Sequence, residues 1–258
     1  MPFENPMKES RVDHRVSRTA RGRLAVRFVA VAILTFLLGT KDAKSADPDL
    51  QLWFPAQFIH PFCEDWAVSM QTELRLREDI SEFSQLVYKP ALNYHFDPTW
   101  AFSVGYKYID KYHGANEQDL WQESHFNKTF DDLVTGFQVR LEERFIDDID
   151  GVIPRLRFLE HVSHPIGDTR CYFTGFGAIR FNLDDKGQGP VSGFEQSRIY
   201  AGLGRHFGER IQFEVGYLWR YEEKRTGDDL SDHAIHFLLV FNTKGKPIKK
   251  PHSRDRYR

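Results

Sequence analysis

The chain has 258 residues, 41% apolar and 14% aromatic, with 35 Lys/Arg against 37 Asp/Glu. Two cysteines, Cys63 and Cys171, are too few for a disulfide framework. No nucleic-acid motif accompanies the basic residues, so nucleic acid is not an expected partner. A mean hydropathy of -0.52 would suit a soluble protein of one or two domains, which leaves pattern to decide the class.

The N-terminal segment carries Lys8, Arg11, Arg15, Arg18, Arg21, Arg23 and Arg27, then an unbroken apolar run Phe28–Leu38, then Ala43-Lys44-Ser45. A basic stretch, a short apolar core and a small-x-small site predict a secretory signal peptide over 1–45. The run is shorter than the about 20 apolar residues a spanning helix needs. Residues 1–45 hold nine Lys/Arg and four Asp/Glu, so the chain from 46 onward is more acidic than the whole. Its last 16 residues, 243–258, reverse that sign with seven Lys/Arg against Asp255, and are expected to be a solvated basic tail.

From Trp66 the dominant signal is alternation. In 66–77 the even positions read Trp66, Val68, Met70, Thr72, Leu74, Leu76 and the odd ones Ala67, Ser69, Gln71, Glu73, Arg75, Arg77. Neighbouring side chains on a strand point to opposite faces, so this segment has one oily and one wet side. The same period runs through 85–96, 100–112, 133–145 and 211–222, and more weakly through 120–130, 154–165, 170–182, 195–207 and 233–242. Segments of 10 to 13 residues exceed the ~5–6 of soluble strands and match the about 9–11 of a tilted membrane strand. The expected fold is therefore all-β: an antiparallel transmembrane barrel of about ten strands over 46–242. With ten spanning strands, 50–58 is a partial or periplasmic strand; twelve strands, which would count 50–58 and one more, is the runner-up.

Connections point the same way. Tight links at 97–99, 131–132, 166–169 and 208–210 alternate with longer ones at 77–83, 113–119, 146–153, 183–194 and 223–232, the arrangement of outer-membrane barrels. Aromatic girdles are expected from Trp66, Tyr94, Phe96, Trp100, Phe130 and Phe207 at the short-turn end. Tyr106, Tyr108, Trp121, Phe145, Tyr217, Trp219 and Tyr221 are expected at the other.

Asp49-Leu50-Gln51-Leu52-Trp53, Trp121-Gln122-Glu123-Ser124-His125, Leu141-Glu142-Glu143-Arg144-Phe145, Gly193-Phe194-Glu195-Gln196-Ser197-Arg198 and Val215-Gly216-Tyr217-Leu218-Trp219 give the chain its family likeness. Over about 49–242 it resembles DUF2490, an uncharacterised family of bacterial outer-membrane barrels. The resemblance implies a membrane barrel and supplies no activity. One departure is that Phe241, where an assembly-assisting terminal aromatic would stand, is followed by 17 more residues. The expected partners are outer-membrane lipids and the machinery that assembles barrels there.

The polar face supplies the candidate site: a lumenal network of Glu73, Arg75, Lys89, Lys107, Glu123, His125, Arg140, Glu142, Arg144, Arg155, Arg157, Arg198, Glu214 and Arg220. Small barrels fill their interiors with side chains, and buried charges must be paired, so a structural lattice is the default. The excess of cations over the carboxylates legible in strands favours, second, a narrow path for small anions. A lipid hydrolase built from His161, Ser163 and His164, or from His125 beside Glu123, is the enzymatic alternative, though no glycine-elbow motif is present. Asp147-Asp148-Ile149-Asp150-Gly151 lacks the later bidentate Glu of a calcium loop. With no zinc spacing, phosphate loop or haem motif, no cofactor is expected.

Overall fold

A computed structural model describes residues 48–187 and 189–244. The expected signal peptide, and all but the first two residues of the basic tail, lie outside the described residues. Eleven strands follow in order: β1 Asp49–Pro61, β2 Trp66–Arg77, β3 Glu82–His95, β4 Trp100–Lys111, β5 Glu117–Phe130, β6 Leu133–Ile146, β7 Ile153–Pro165, β8 Cys171–Asn182, β9 Gly193–Phe207, β10 Ile211–Glu222 and β11 Leu230–Asn242. Each pairs antiparallel with its successor, and β1 closes on β11 to complete a barrel.

That closure is parallel, with Leu52 opposite Ile235 and Trp53 opposite His236. In a ring where all neighbours are antiparallel, directions alternate and the count must be even. Eleven strands therefore require one parallel pair. The expectation of ten is corrected by one because 49–61 is a full strand. Its inward Gln51 and Trp53 are buried while outward Leu50 and Phe58 are exposed. Pro55 has no N–H to give, and the β1–β11 register skips Phe54 and Pro55 before resuming at Ala56. Pro90 leaves a similar gap between β3 and β4.

Strands of 12 to 15 residues set the height. At ~3.3 Å per residue a 12-residue strand is about 40 Å long, and a tilt near 45° leaves about 28 Å along the axis. The hydrocarbon core of a bilayer is ~30 Å. The exterior matches that medium, with Val68, Leu74, Val104, Leu120, Phe137, Phe173, Leu203, Val215 and Ile235 all exposed. Acyl chains, and not water, are the solvent such a surface needs. Rings gather at its margins: Trp66 on Tyr94 and Tyr94 on Phe96, both at 4.7 Å, and Trp100 on Phe126 at 4.9 Å. Trp121 does not join the opposite girdle. It shares its parity with Glu123 and His125, so it turns into the lumen and is 5% exposed.

The turns at one end span 62–65, 96–99, 131–132, 166–170 and 208–210. The loops at the other span 78–81, 112–116, 147–152, 183–192 and 223–229. The alternation is present but shallower than the sequence suggests, because β5 and β11 begin earlier than their apolar residues do. In the β2–β3 connection Glu78, Asp79 and Ile80 all have positive φ, a conformation costly for β-branched Ile80. Two bonds hold it to β1: Ile80 N–H donates to Leu50 O, and Asp79 N–H to Asp49 Oδ1, both at 3.1 Å.

The parallel seam is testable. In a chain with Cys63 and Cys171 replaced by Ser, Leu52→Cys with Ile235→Cys is expected to form a disulfide on oxidation, since the two positions are direct partners. The product would migrate faster on non-reducing gels. A chain that stays uncrosslinked while folded would mean that β1 does not close the ring.

Candidate functional site: the charged lumen

Period two places all fourteen sequence-named residues on the inner wall, where two groupings form. The larger centres on Arg155 of β7. Its Nε donates to Glu142 Oε2 at 2.6 Å, and its terminal nitrogens reach Glu195 at 3.2 Å, Glu117 at 3.4 Å and Asp119 at 3.5 Å. Arg144 grips Glu117 with two bonds of 3.0 Å and also donates to Glu195 at 2.9 Å and Asn182 at 3.1 Å. Lys107 pairs with Asp119 and, at 3.4 Å, with Glu117. Glu123 accepts from Arg140 Nε at 2.7 Å and from Arg157, while His125 Nε2 lies 3.0 Å from its other oxygen. Asp119 is 0% and Glu142 1% exposed.

The second grouping surrounds Trp53. The guanidinium carbons of Arg75, Arg198 and Arg220 lie 3.8, 4.8 and 5.6 Å from its ring, and its indole N–H donates to Gln51 at 2.8 Å. An indole face attracts such cations, and more strongly where water is excluded. Arg75 also donates to Glu73 at 2.5 Å, and Arg220 Nε to Asp232 at 2.7 Å. Glu214 stands apart, accepting from Tyr172 Oη at 2.8 Å and Gln212 at 2.9 Å. Lys89 has no carboxylate partner among the described residues. Its ammonium lies 5.8 Å from the Trp121 ring.

Sequence reasoning missed Glu117, Asp119, Glu195, Asp232 and Trp53. Glu117, Asp119 and Asp232 stand in stretches read as loops, yet Glu117, Asp119, Trp121 and Glu123 alternate without a break. That alternation was the available signal. Glu195 escapes it because of a bulge: Arg180 pairs with Gln196 but Phe181 with Phe194, so Glu195 and Gln196 are both buried. With these carboxylates added, the lumen is much closer to charge balance than the sequence implies.

Several lumenal rings lie against glycines of a neighbouring strand. A Cβ on Gly136 would overlap the imidazole of His161, its direct partner, and one on Gly204 would overlap Tyr172. The ring covers backbone that a side chain would otherwise occupy. His161 is thus a wall residue, and no hydrogen bond joins it to Ser163 among the described residues. The serine beside a histidine is Ser103: its Oγ lies 3.1 Å from His125 Nε2 and donates to Asn93 Oδ1 at 2.8 Å. Glu123 faces that same Nε2, so the serine and the carboxylate meet one nitrogen and the ring does not bridge them as a relay would.

At the loop end Arg225 ties 223–229 to 183–192, donating to Gly189 O at 3.0 Å and Pro190 O at 3.3 Å and pairing with Asp185. The Gly187 N–H and that guanidinium hold the Asp185 carboxyl below its usual range. A lowered carboxyl contributes stability above its unfolded pKa and loses it as pH falls through the folded value, so this tie weakens in acid.

Arg155→Met would leave Glu117, Asp119, Glu142 and Glu195 short of a shared cation. Unfolding in detergent is expected to lose about 3–5 kcal/mol. Arg77→Met, at a half-exposed pair with Glu82, is expected to stay within about 1 kcal/mol of the parent. Equal stabilities for the two variants would contradict the lattice.

Similarity to known proteins covers the same span. The family described as a protein of unknown function, DUF2490, matches residues 50–231. An uncharacterized protein of Methylorubrum extorquens is 24% identical over 215 residues, 79% of this chain and 92% of that one. Among solved structures the NanC porin is similar at a TM-score of 0.49 and 14% identity, over 75% of this chain and 98% of that chain. The match at residues 50–231 takes in most of the barrel, and the chain belongs to the DUF2490 family.

Proposed function

We propose that this protein is an outer-membrane barrel whose lumen is shut by its own ion pairs, so that its role is structural and not that of an open diffusion pore. The apolar exterior, the strand length and the turn asymmetry support the membrane; the expected signal peptide supports export to it. The observation that carries the reading of a shut lumen is the burial of Asp119, Glu142, Arg155 and Arg144, each no more than 4% exposed. Side chains lining a wet channel keep contact with water, whereas these have exchanged water for one another.

A second reading, a narrow route for small anions, is favoured by the lumenal cations that lack a carboxylate, Lys89 among them. The hydrolase alternative gains no support from the separation of His161 from Ser163 or from the shared nitrogen of His125. Planar bilayers separate the first two readings. The shut barrel is expected to give no steady conductance steps. Arg155→Ala with Glu142→Ala, which removes the centre of the lattice, is expected to give small ones. Steady steps from the parent chain, with a reversal potential displaced toward anions in a salt gradient, would overturn the shut barrel in favour of the anion route.

A further inference from the structure

Not every lumenal guanidinium finds a carboxylate. Arg140, Arg157 and Arg180 are direct partners across β6, β7 and β8, a row of like charges that is unfavourable unless something neutralises it. Glu123 serves the first two. Arg157 also donates to Gln138 Oε1 at 3.2 Å, yet its buried Nε–H has no acceptor. Arg180 forms no ion pair among the described residues, and its Nε–H is likewise buried without an acceptor. The charged groups facing Arg180 include the cations Arg155, Arg157 and Arg198 and the carboxylates Glu142 and Glu195. Both carboxylates are already taken, Glu142 by Arg155 and Glu195 by Arg155 and Arg144.

Arg198 stands diagonally from Arg180, since Ala178 opposes Arg198 and Gln196 opposes Arg180. Its Nε donates to the neutral Gln196 at 2.6 Å. Arg180, Arg75, Arg220 and Glu73 face it, and Glu73 is held by Arg75. Arginine does not shed its proton inside proteins, so these groups cannot escape by becoming neutral. Planar N–H donors with a net positive charge and unfilled hydrogen bonds are the recognition chemistry of an oxyanion.

We infer that the lumen holds a small oxyanion, a carboxylate, sulfate or phosphate group, between Arg157, Arg180 and Arg198. The site depends on the polar, enclosed interior but not on whether the barrel conducts. Conductance reads the one and saturable binding the other, so either can fail alone.

The test uses the full chain in detergent, with unfolding temperature followed as sodium sulfate replaces sodium chloride at constant ionic strength. Phosphate and acetate arms separate a dianion from a carboxylate. The parent is expected to show a saturable rise with at least one of the three anions. Arg180→Gln is expected to lose that saturable component and, in chloride alone, to unfold no lower than the parent, because an uncompensated cation has been removed. Arg198→Gln, examined the same way, is expected to weaken the response. A parent response that is absent, or that never saturates and is matched by Arg180→Gln, would overturn the site. So would an Arg180→Gln chain that cannot fold in chloride, since that would make Arg180 a stabilising member of the lattice.

Discussion

Everything in this molecule follows from the need to satisfy backbone N–H and C=O groups where no water can reach them. In hydrocarbon each unpaired amide costs several kcal/mol, and a sheet meets that demand only by closing on itself. Eleven strands do so here at the expense of one parallel seam. The two prolines that interrupt ladders are each confined to one side of their strand. Once the ring is closed, side chains have two destinations, and period two sorts them: oil outward, charge inward.

The inward set then faces the reverse difficulty. A guanidinium or carboxylate enclosed by a barrel loses its hydration, and only a partner of opposite sign returns most of that energy. The Arg155 and Arg144 clusters achieve this with carboxylates drawn from β5, β6 and β9, which stitches distant parts of the wall together across the interior. Such cross-bracing specifies register as well as filling space. A strand slipped by one residue would send Glu142 and Arg144 into lipid.

How legible this was depends on which signal carried it. The exterior faces of β2, β4, β6 and β10 were plain because their alternation is unbroken and their lengths exceed those of soluble strands. The fourteen lumenal residues followed from the same parity. What stayed hidden had physical causes. β1 carries Pro55, and an eleventh strand is possible only with a parallel seam, which no single strand's pattern announces. Glu117, Asp119 and Asp232 open strands with polar residues, which sequence reasoning assigns to loops. Glu195 sits on a bulge, where parity breaks. Trp121 was placed by residue type when its neighbours Glu123 and His125 already fixed its direction. Pairings such as Arg155 with four carboxylates depend on how the cylinder curls, which no single strand records.

The five tryptophans offer the most direct measurement of this inside-outside sorting. Variants retaining one tryptophan each, reconstituted into bilayers of brominated acyl chains, report contact with lipid through quenching of indole fluorescence. Trp66, Trp100 and Trp219 are expected to be quenched, while Trp53 and Trp121, both buried in the lumen, keep their emission. Strong quenching of Trp53 or Trp121, or none at Trp100 and Trp219, would contradict a closed cylinder with its charges within.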